Sequence, residues 1–278
     1  MPLRALAMLI LAVGTVAGAT EVSFGTLPAG AISTNVVSEV SAEICRDHLF
    51  DPSLVRTKLP EGYRLILAAE YSREDPAVAE LLQRHPQYKP HAVGSLCFMS
   101  VGSFVVDGVR LNSTNPTPMA FWWARATGPR DPRMQGKTEW LQLASWYSKD
   151  ITQRERVLAT DPMAQFVDLG MTRTGTNDWR LRLILPQESI EAVVHGDGIR
   201  RRRKAAEPGF MSVPLAGAHA GSFWVFTYFG HHHQSAQGKW RAQGTGVFHD
   251  ALQIPGESKA FNTLFQDGWS ALSGLYAP

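Results

Sequence analysis

The stretch SFVVDGVRL, residues 103 to 111, sets apolar runs on either side of Asp107-Gly108. An Asp-Gly pair tolerates the positive φ values of a two-residue hairpin turn, so the segment reads as two antiparallel strands tightly joined. Outward from it, runs rich in β-branched and aromatic residues recur: YRLILAAEY (63–71), AVGSLCFMSV (92–101), PMAFWWARA (118–126) and EWLQLASWY (139–147). QFVDLGMTR (165–173), WRLRLILP (179–186), GSFWVFTYF (221–229) and GTGVFHDALQ (244–253) continue the series. In WRLRLIL, Trp179, Leu181, Leu183 and Leu185 alternate with Arg180, Arg182 and Ile184, which gives one buried face and one partly wet face. Many short strands separated by turn signals predict a mainly β fold, an antiparallel barrel-like or highly curved sheet, over a parallel α/β sheet.

Helices enter as accessories. In SREDPAVAELLQRHP, Asp75 is placed as N-cap with Pro76 at the first helical position, and Val78, Leu81 and Leu82 share a face. A shorter helix is expected over residues 38–49. A C-terminal amphipathic helix is expected in ESKAFNTLFQDGWSALSGLYAP, where Phe261, Leu264, Phe265, Trp269, Leu272 and Leu275 recur at helical spacing and fit packing on a sheet or plugging a barrel end.

The first residues, MPLRALAMLILAVGTVAGATEV, order a cation (Arg4), an apolar run to Val16 and the small residues Ala17, Gly18 and Ala19. This is the order of a secretory signal peptide over 1–19, and the apolar run is shorter than the roughly 20 residues that span a bilayer. The expected organisation is that signal, a loose arm over 20–34 and a single β-rich domain over 35–278. It implies an exported protein, periplasmic or extracellular, with no stable membrane span after cleavage.

Net charge is +2, or +1 without Arg4, so overall charge does not argue for nucleic acid as a partner. The basic run Arg200–Lys204 lacks interleaved aromatics and reads as a solvated loop. The two cysteines, Cys45 and Cys97, are read as one disulfide worth about 3 to 4 kcal/mol through loop closure, with two buried thiols as the alternative.

Candidate site residues cluster after the most aromatic strand, in FTYFGHHHQSAQGKW (226–240). Alternation along an extended chain puts His231 and His233 on one face and His232 on the other. Imidazoles titrate near neutrality and suit acid–base work, with His249 or Lys239 as helper. Trp122, Trp224, Tyr228 and Arg182 are the expected ligand-binding residues, aromatics lining a pocket with a cation beside it. A metal is not expected, since no zinc-protease pattern is present, and no cofactor is implied. Lys137 and Lys239 each follow glycine just before a tryptophan-bearing strand, a setting in which a buried lysine could support Schiff-base chemistry.

The strand order over residues 50–250, with LPEGYRL (59–65) leading in and MAFWWARA (119–126) following the hairpin, resembles the acetoacetate-decarboxylase-like barrel superfamily. The resemblance implies a lysine in a buried pocket beside a second lysine, with a glutamate and arginines nearby. No Lys-Lys pair occurs in this sequence, so the Gly-Lys dipeptides are the approximate counterparts and a decarboxylase-like lyase activity does not transfer directly.

These readings converge on an exported barrel that binds a small, partly apolar molecule bearing a carbonyl or carboxylate, and acts on it by histidine/lysine acid–base or Schiff-base chemistry. The alternatives are a non-catalytic carrier of an apolar ligand and a metal-dependent hydrolase using the histidine cluster.

Overall fold

A computed structural model describes residues 27–112, 116–128, 138–202, 210–214, 222–229, 232–254 and 263–277. The expected signal peptide, Lys137 and His231 lie outside the described residues. In chain order the strands are β1 (Ser33–Phe50), β2 (Arg64–Leu65), β3 (Ala92–Val106), β4 (Val109–Arg110), β5 (Thr117–Thr127), β6 (Thr138–Ser148), β7 (Ala164–Arg173) and β8 (Asp178–Ile184). They continue as β9 (Glu188–Gly196), β10 (Arg201–Arg202), β11 (Phe210–Pro214), β12 (Phe223–Phe229), β13 (His232–Gly244), β14 (Thr263–Asp267) and β15 (Trp269–Tyr276). Among the described residues five short α-helices intervene: α1 (Ser53–Arg56), α2 (Ala68–Tyr71), α3 (Pro76–Arg84), α4 (Arg154–Thr160) and α5 (Val247–Ala251).

The mainly β, barrel-like expectation holds. Asp107 and Gly108 have φ of 46° and 78°, as a tight hairpin turn requires, and the Asp75 side chain caps α3 by accepting from the Ala77 and Val78 amides.

The ladder closes twice. One ring runs β1-β3-β5-β6-β7-β8-β9-β13-β14 and back to β1, nine strands. A second runs β1-β3-β5-β6-β11-β12-β15 and back to β1, seven strands. Both are possible because β1 and β6 each divide their pairing along their length. Residues 43–46 of β1 pair with β14, whereas residues 33–40 pair with β15. Thr138–Gln142 of β6 pair with β11, whereas Ser145–Ser148 pair with β7. Bulges in β1 between Val37 and Ala42 interrupt its register with β3 and β15, at the point where its outer partner changes.

The four-stranded wall β1-β3-β5-β6 is therefore common to both rings, and side-chain alternation serves each from one face. Ile44, Phe98, Trp122 and Trp146 join Leu169, Leu181, Leu183, Ile190, Ala192, Val194 and Phe265 in the core of the nine-strand ring. Met99, Met119 and Tyr147 project oppositely, toward Trp269 and Ala271 of the seven-strand ring.

Four expected elements differ. Residues 38–49 form part of β1 rather than a helix. The C-terminal stripe is a pair of strands, β14 and β15, separated at Gly268 with φ of 64°. Residues spaced three and four apart straddle that break, and the pattern within β15 is period two, with Trp269, Ala271 and Ser273 facing inward together. The plug of the nine-strand ring is instead α5, inside a segment expected to be a strand: buried Phe248 meets Trp122, Trp146 and His48, and Glu188 accepts from the Phe248 and His249 amides. The run at 63–71 likewise yields only β2 before α2 begins.

Candidate functional site

Register across the shared wall lays out rungs on the seven-strand face. Asp47, Ser95, Trp123 and Gln142 form one rung; Cys45, Cys97, Phe121 and Ser145 form the next; Glu43, Met99, Met119 and Tyr147 form the third. A face of a central sheet with this many polar groups calls for partners or a ligand, because an unpaired buried polar group costs about 1–3 kcal/mol.

Over these rungs lies a cavity of about 80 Å³. Its walls include Trp123, Trp224, Trp269, Met99, Met119 and Phe121, and its polar groups include Glu43, Gln142, Tyr147 and Asp161. Roughly 10–15 Å³ of such space holds one water, so a molecule of several heavy atoms fits. Asp161 enters from outside the wall. It is the C-cap of α4, and Pro162 immediately after it stops the helix continuing.

Asp161 is 6% exposed. It accepts from Tyr147 Oη at 3.0 Å, from Gln142 Nε2 at 3.2 Å on both oxygens, and from the Met163 amide at 3.2 Å. Burial raises its carboxyl above the ordinary range, and these donors partly offset that. Burial first, and the adjacent Asp161 charge second, hold the Tyr147 phenol well above its usual range. Asn35, also on the cavity wall, has a buried Oδ1 with no hydrogen-bond partner among the described residues. One rung further along, Arg125 is held between the rings of Tyr71 (4.9 Å) and Trp140 (4.7 Å).

Of the sequence-predicted site residues, Trp224 lines this cavity. Trp122 faces the other ring, where its Nε1 donates to His48 Nε2 at 3.1 Å. Tyr228 is within β12, but its side chain lies outside the described residues. Arg182 is exposed on β8 and faces Asp168 at 3.9 Å. Lys239 is exposed on β13, as are the other described lysines, Lys58, Lys89 and Lys149. His233 is half-buried on β13 opposite Gln266 and Arg201, and its Nδ1 has no partner among the described residues. His249 sits on α5, with Nδ1 3.0 Å from Asp250 Oδ1 and Nε2 2.7 Å from Gln253 Nε2. The helix thus lets His249 and Asp250 meet, which an extended strand would not.

The structure does not gather His233, Lys239 and His249 around the cavity. Among the described residues, the group of three potential metal ligands in mutual reach is Glu43, Cys45 and Cys97, with no histidine.

Cys45 and Cys97 are cross-strand partners in register and are joined as a disulfide. Asp161 and Gln142 are not among the sequence-predicted site residues. The available signal was Gln142 inside the otherwise apolar run EWLQLASWY, a polar residue that a buried strand must satisfy.

The mainly β barrel is similar in fold to acetoacetate decarboxylase. The acetoacetate decarboxylase of Legionella pneumophila superposes with a TM-score of 0.52 at 9% identity, covering 99% of this chain and 96% of that one. The enduracididine biosynthesis enzyme MppR, solved with HEPES buffer bound, superposes with a TM-score of 0.49 at 11% identity, covering 92% of this chain and 89% of that one. No protein-family model and no curated protein matches the sequence.

Proposed function

We propose that this protein binds a compact, partly apolar molecule in the cavity of the seven-strand ring, with Asp161 as the ionisable group that meets it. The observation that carries this reading is a buried carboxyl, raised above its ordinary range, on the wall of an aromatic-lined cavity. Burial favours the proton-holding form of this carboxyl, which suits it to pass a proton to or from a bound molecule, and Tyr147 and Gln142 fix its orientation. Acid–base chemistry at Asp161 is favoured over Schiff-base chemistry, because every described lysine is exposed. Asn35 supplies a hydrogen-bond acceptor to a donor group of the bound molecule. The signal-like N-terminus and the disulfide support export.

The test is saturation-transfer NMR of tag-free protein with a panel of short-chain ketones, keto acids and carboxylic acids, with turnover followed in the same samples. Wild type is expected to bind a member that Ala271→Leu, which fills the cavity, does not. Turnover lost in Asp161→Asn with binding retained identifies a catalyst, and binding without wild-type turnover identifies a carrier. Equal binding by wild type and Ala271→Leu places the ligand elsewhere and overturns the reading.

A further inference from the structure

The middle rung of the cavity wall carries chemistry that Asp161 does not use. Cys45 and Cys97 lie between the rung of Trp123 and Gln142 and the rung of Glu43 and Tyr147, all four of which line the cavity. Glu43 Oε1 is 3.7 Å from Cys45 Sγ, and the ligand atoms of Glu43, Cys45 and Cys97 all lie within 4.8 Å of one another. Tetrahedral zinc, with Zn–S of about 2.3 Å and Zn–O of about 2.0–2.2 Å, places sulfur and oxygen about 3.5–3.7 Å apart and two sulfurs about 3.8 Å apart. The carboxylate–sulfur edge therefore already has the required span. The carboxylate–Cys97 edge lies within 4.8 Å, and the sulfur–sulfur edge must open, which breaking the disulfide allows.

We propose that reduction of Cys45–Cys97 converts this rung into a site for a soft divalent cation of the zinc class, held by two thiolates and the Glu43 carboxylate. A dithiol reductant supplies two electrons and two protons and closes its own disulfide, while the Cys45–Cys97 bond breaks to give two thiols. Metal binding then releases both thiol protons to solvent. Three protein ligands leave a fourth tetrahedral position, and Glu43 and Phe121, the latter on the cysteine rung, line the cavity, which puts that position beside it. In the oxidised chain the sulfurs are bonded to each other and offer no thiolate, so redox state decides whether the site exists.

The experiment uses the tag-free full chain, oxidised or reduced by a phosphine that does not compete for metal, titrated with Co²⁺ and then Zn²⁺. The reduced chain is expected to take one equivalent, with a thiolate-to-cobalt charge-transfer band and tetrahedral ligand-field bands that Zn²⁺ abolishes. The oxidised chain is expected to show neither. Glu43→Gln, whose oxidised form keeps the disulfide, should retain the thiolate band once reduced but bind roughly 10- to 100-fold more weakly, the scale of loss seen even for groups that only support a ligand. The Cys45→Ser/Cys97→Ser double variant should show no band.

The proposal is overturned if the reduced wild type gives no thiolate band, if the band survives in the double variant, or if Glu43→Gln binds as tightly as wild type. Should reduction unfold the chain, the melting midpoint with added Zn²⁺ decides. A rise in wild type larger than in Glu43→Gln supports the site, whereas equal rises mean metal held by unordered thiols and overturn it.

Discussion

The two rings share a wall but treat buried polar groups differently. On the nine-strand face, Trp122, Phe248 and Phe50 pack ring against ring around His48, with Trp146 against Phe248. His48 is 1% exposed; Nε2 accepts from the Trp122 indole, and Nδ1 is 3.3 Å from the Arg46 carbonyl oxygen, which fixes a neutral tautomer with its proton on Nδ1. Gly94 makes room for this pair, since a Cβ there would lie 3.0 Å from Trp122 Nε1 and 3.1 Å from His48 Nε2. On the seven-strand face, Ala271 and Ser273 stand where larger side chains would close the ring, and a cavity remains beside Asp161. Burial drives both groups toward their neutral forms, lowering the base and raising the acid. The difference is access: the histidine is locked into packing, and the carboxyl lines free volume.

The largest effect that separates the rings is on the histidine side. Burial lowers the His48 pKa from 6.5 to about 4. Between those values the unfolded chain binds more protons than the folded one, so stability is complete above about pH 6.5 and is lost as pH falls toward 4. At 1.36 kcal/mol per pK unit, His48 contributes about 3 kcal/mol to that slope. Urea unfolding across this pH range should show the slope in wild type and a flatter profile in His48→Gln. An unchanged slope in the variant would mean that His48 is not buried neutral, and the contrast between the rings would lose its first half.

Packing gives the next test. Ala192→Leu adds volume beside buried, closely packed residues of the nine-strand core and should destabilise by about 1–3 kcal/mol. Ala271→Leu adds the same volume beside the cavity and should be neutral or stabilising by up to about 1 kcal/mol. Chemical denaturation of both variants measures the difference, and equal losses would show that the cavity does not persist in solution.

Much of the frame was legible because its signals are local. Asp107-Gly108 dictates its own turn, Asp75-Pro76 its own helix start, and the alternation in WRLRLIL its own strand. The site was not, because it is assembled by register. Asp161 and Gln142 are 19 residues apart and meet only because α4 returns the chain over β6. The 52-position separation of Cys45 and Cys97 closes because both fall on one rung of β1 and β3. The histidine run drew attention because three titratable residues in a row are conspicuous, yet a single strand supplies only part of any site. The C-terminal helix fails for the converse reason: two strands either side of Gly268 place apolar residues at intervals that imitate helical spacing.

The smallest effect is expected at Asp161, where three donors offset part of the burial penalty. Its folded pKa lies above the unfolded value, so over that interval the folded chain holds more protons and stability falls as pH rises, opposite in sign to His48. Asp47 and Glu188, both raised by burial, add to the same trend. Asp161→Asn should therefore remove one share of the downward slope above the ordinary carboxylate range and leave the His48 slope intact. Unfolding of wild type, Asp161→Asn and His48→Gln over one pH series separates the two signs. If Asp161→Asn instead leaves the profile unchanged, the carboxyl has its ordinary pKa in the folded chain and is not the proton-handling group of the cavity, and Glu43 on the same wall becomes the residue to test.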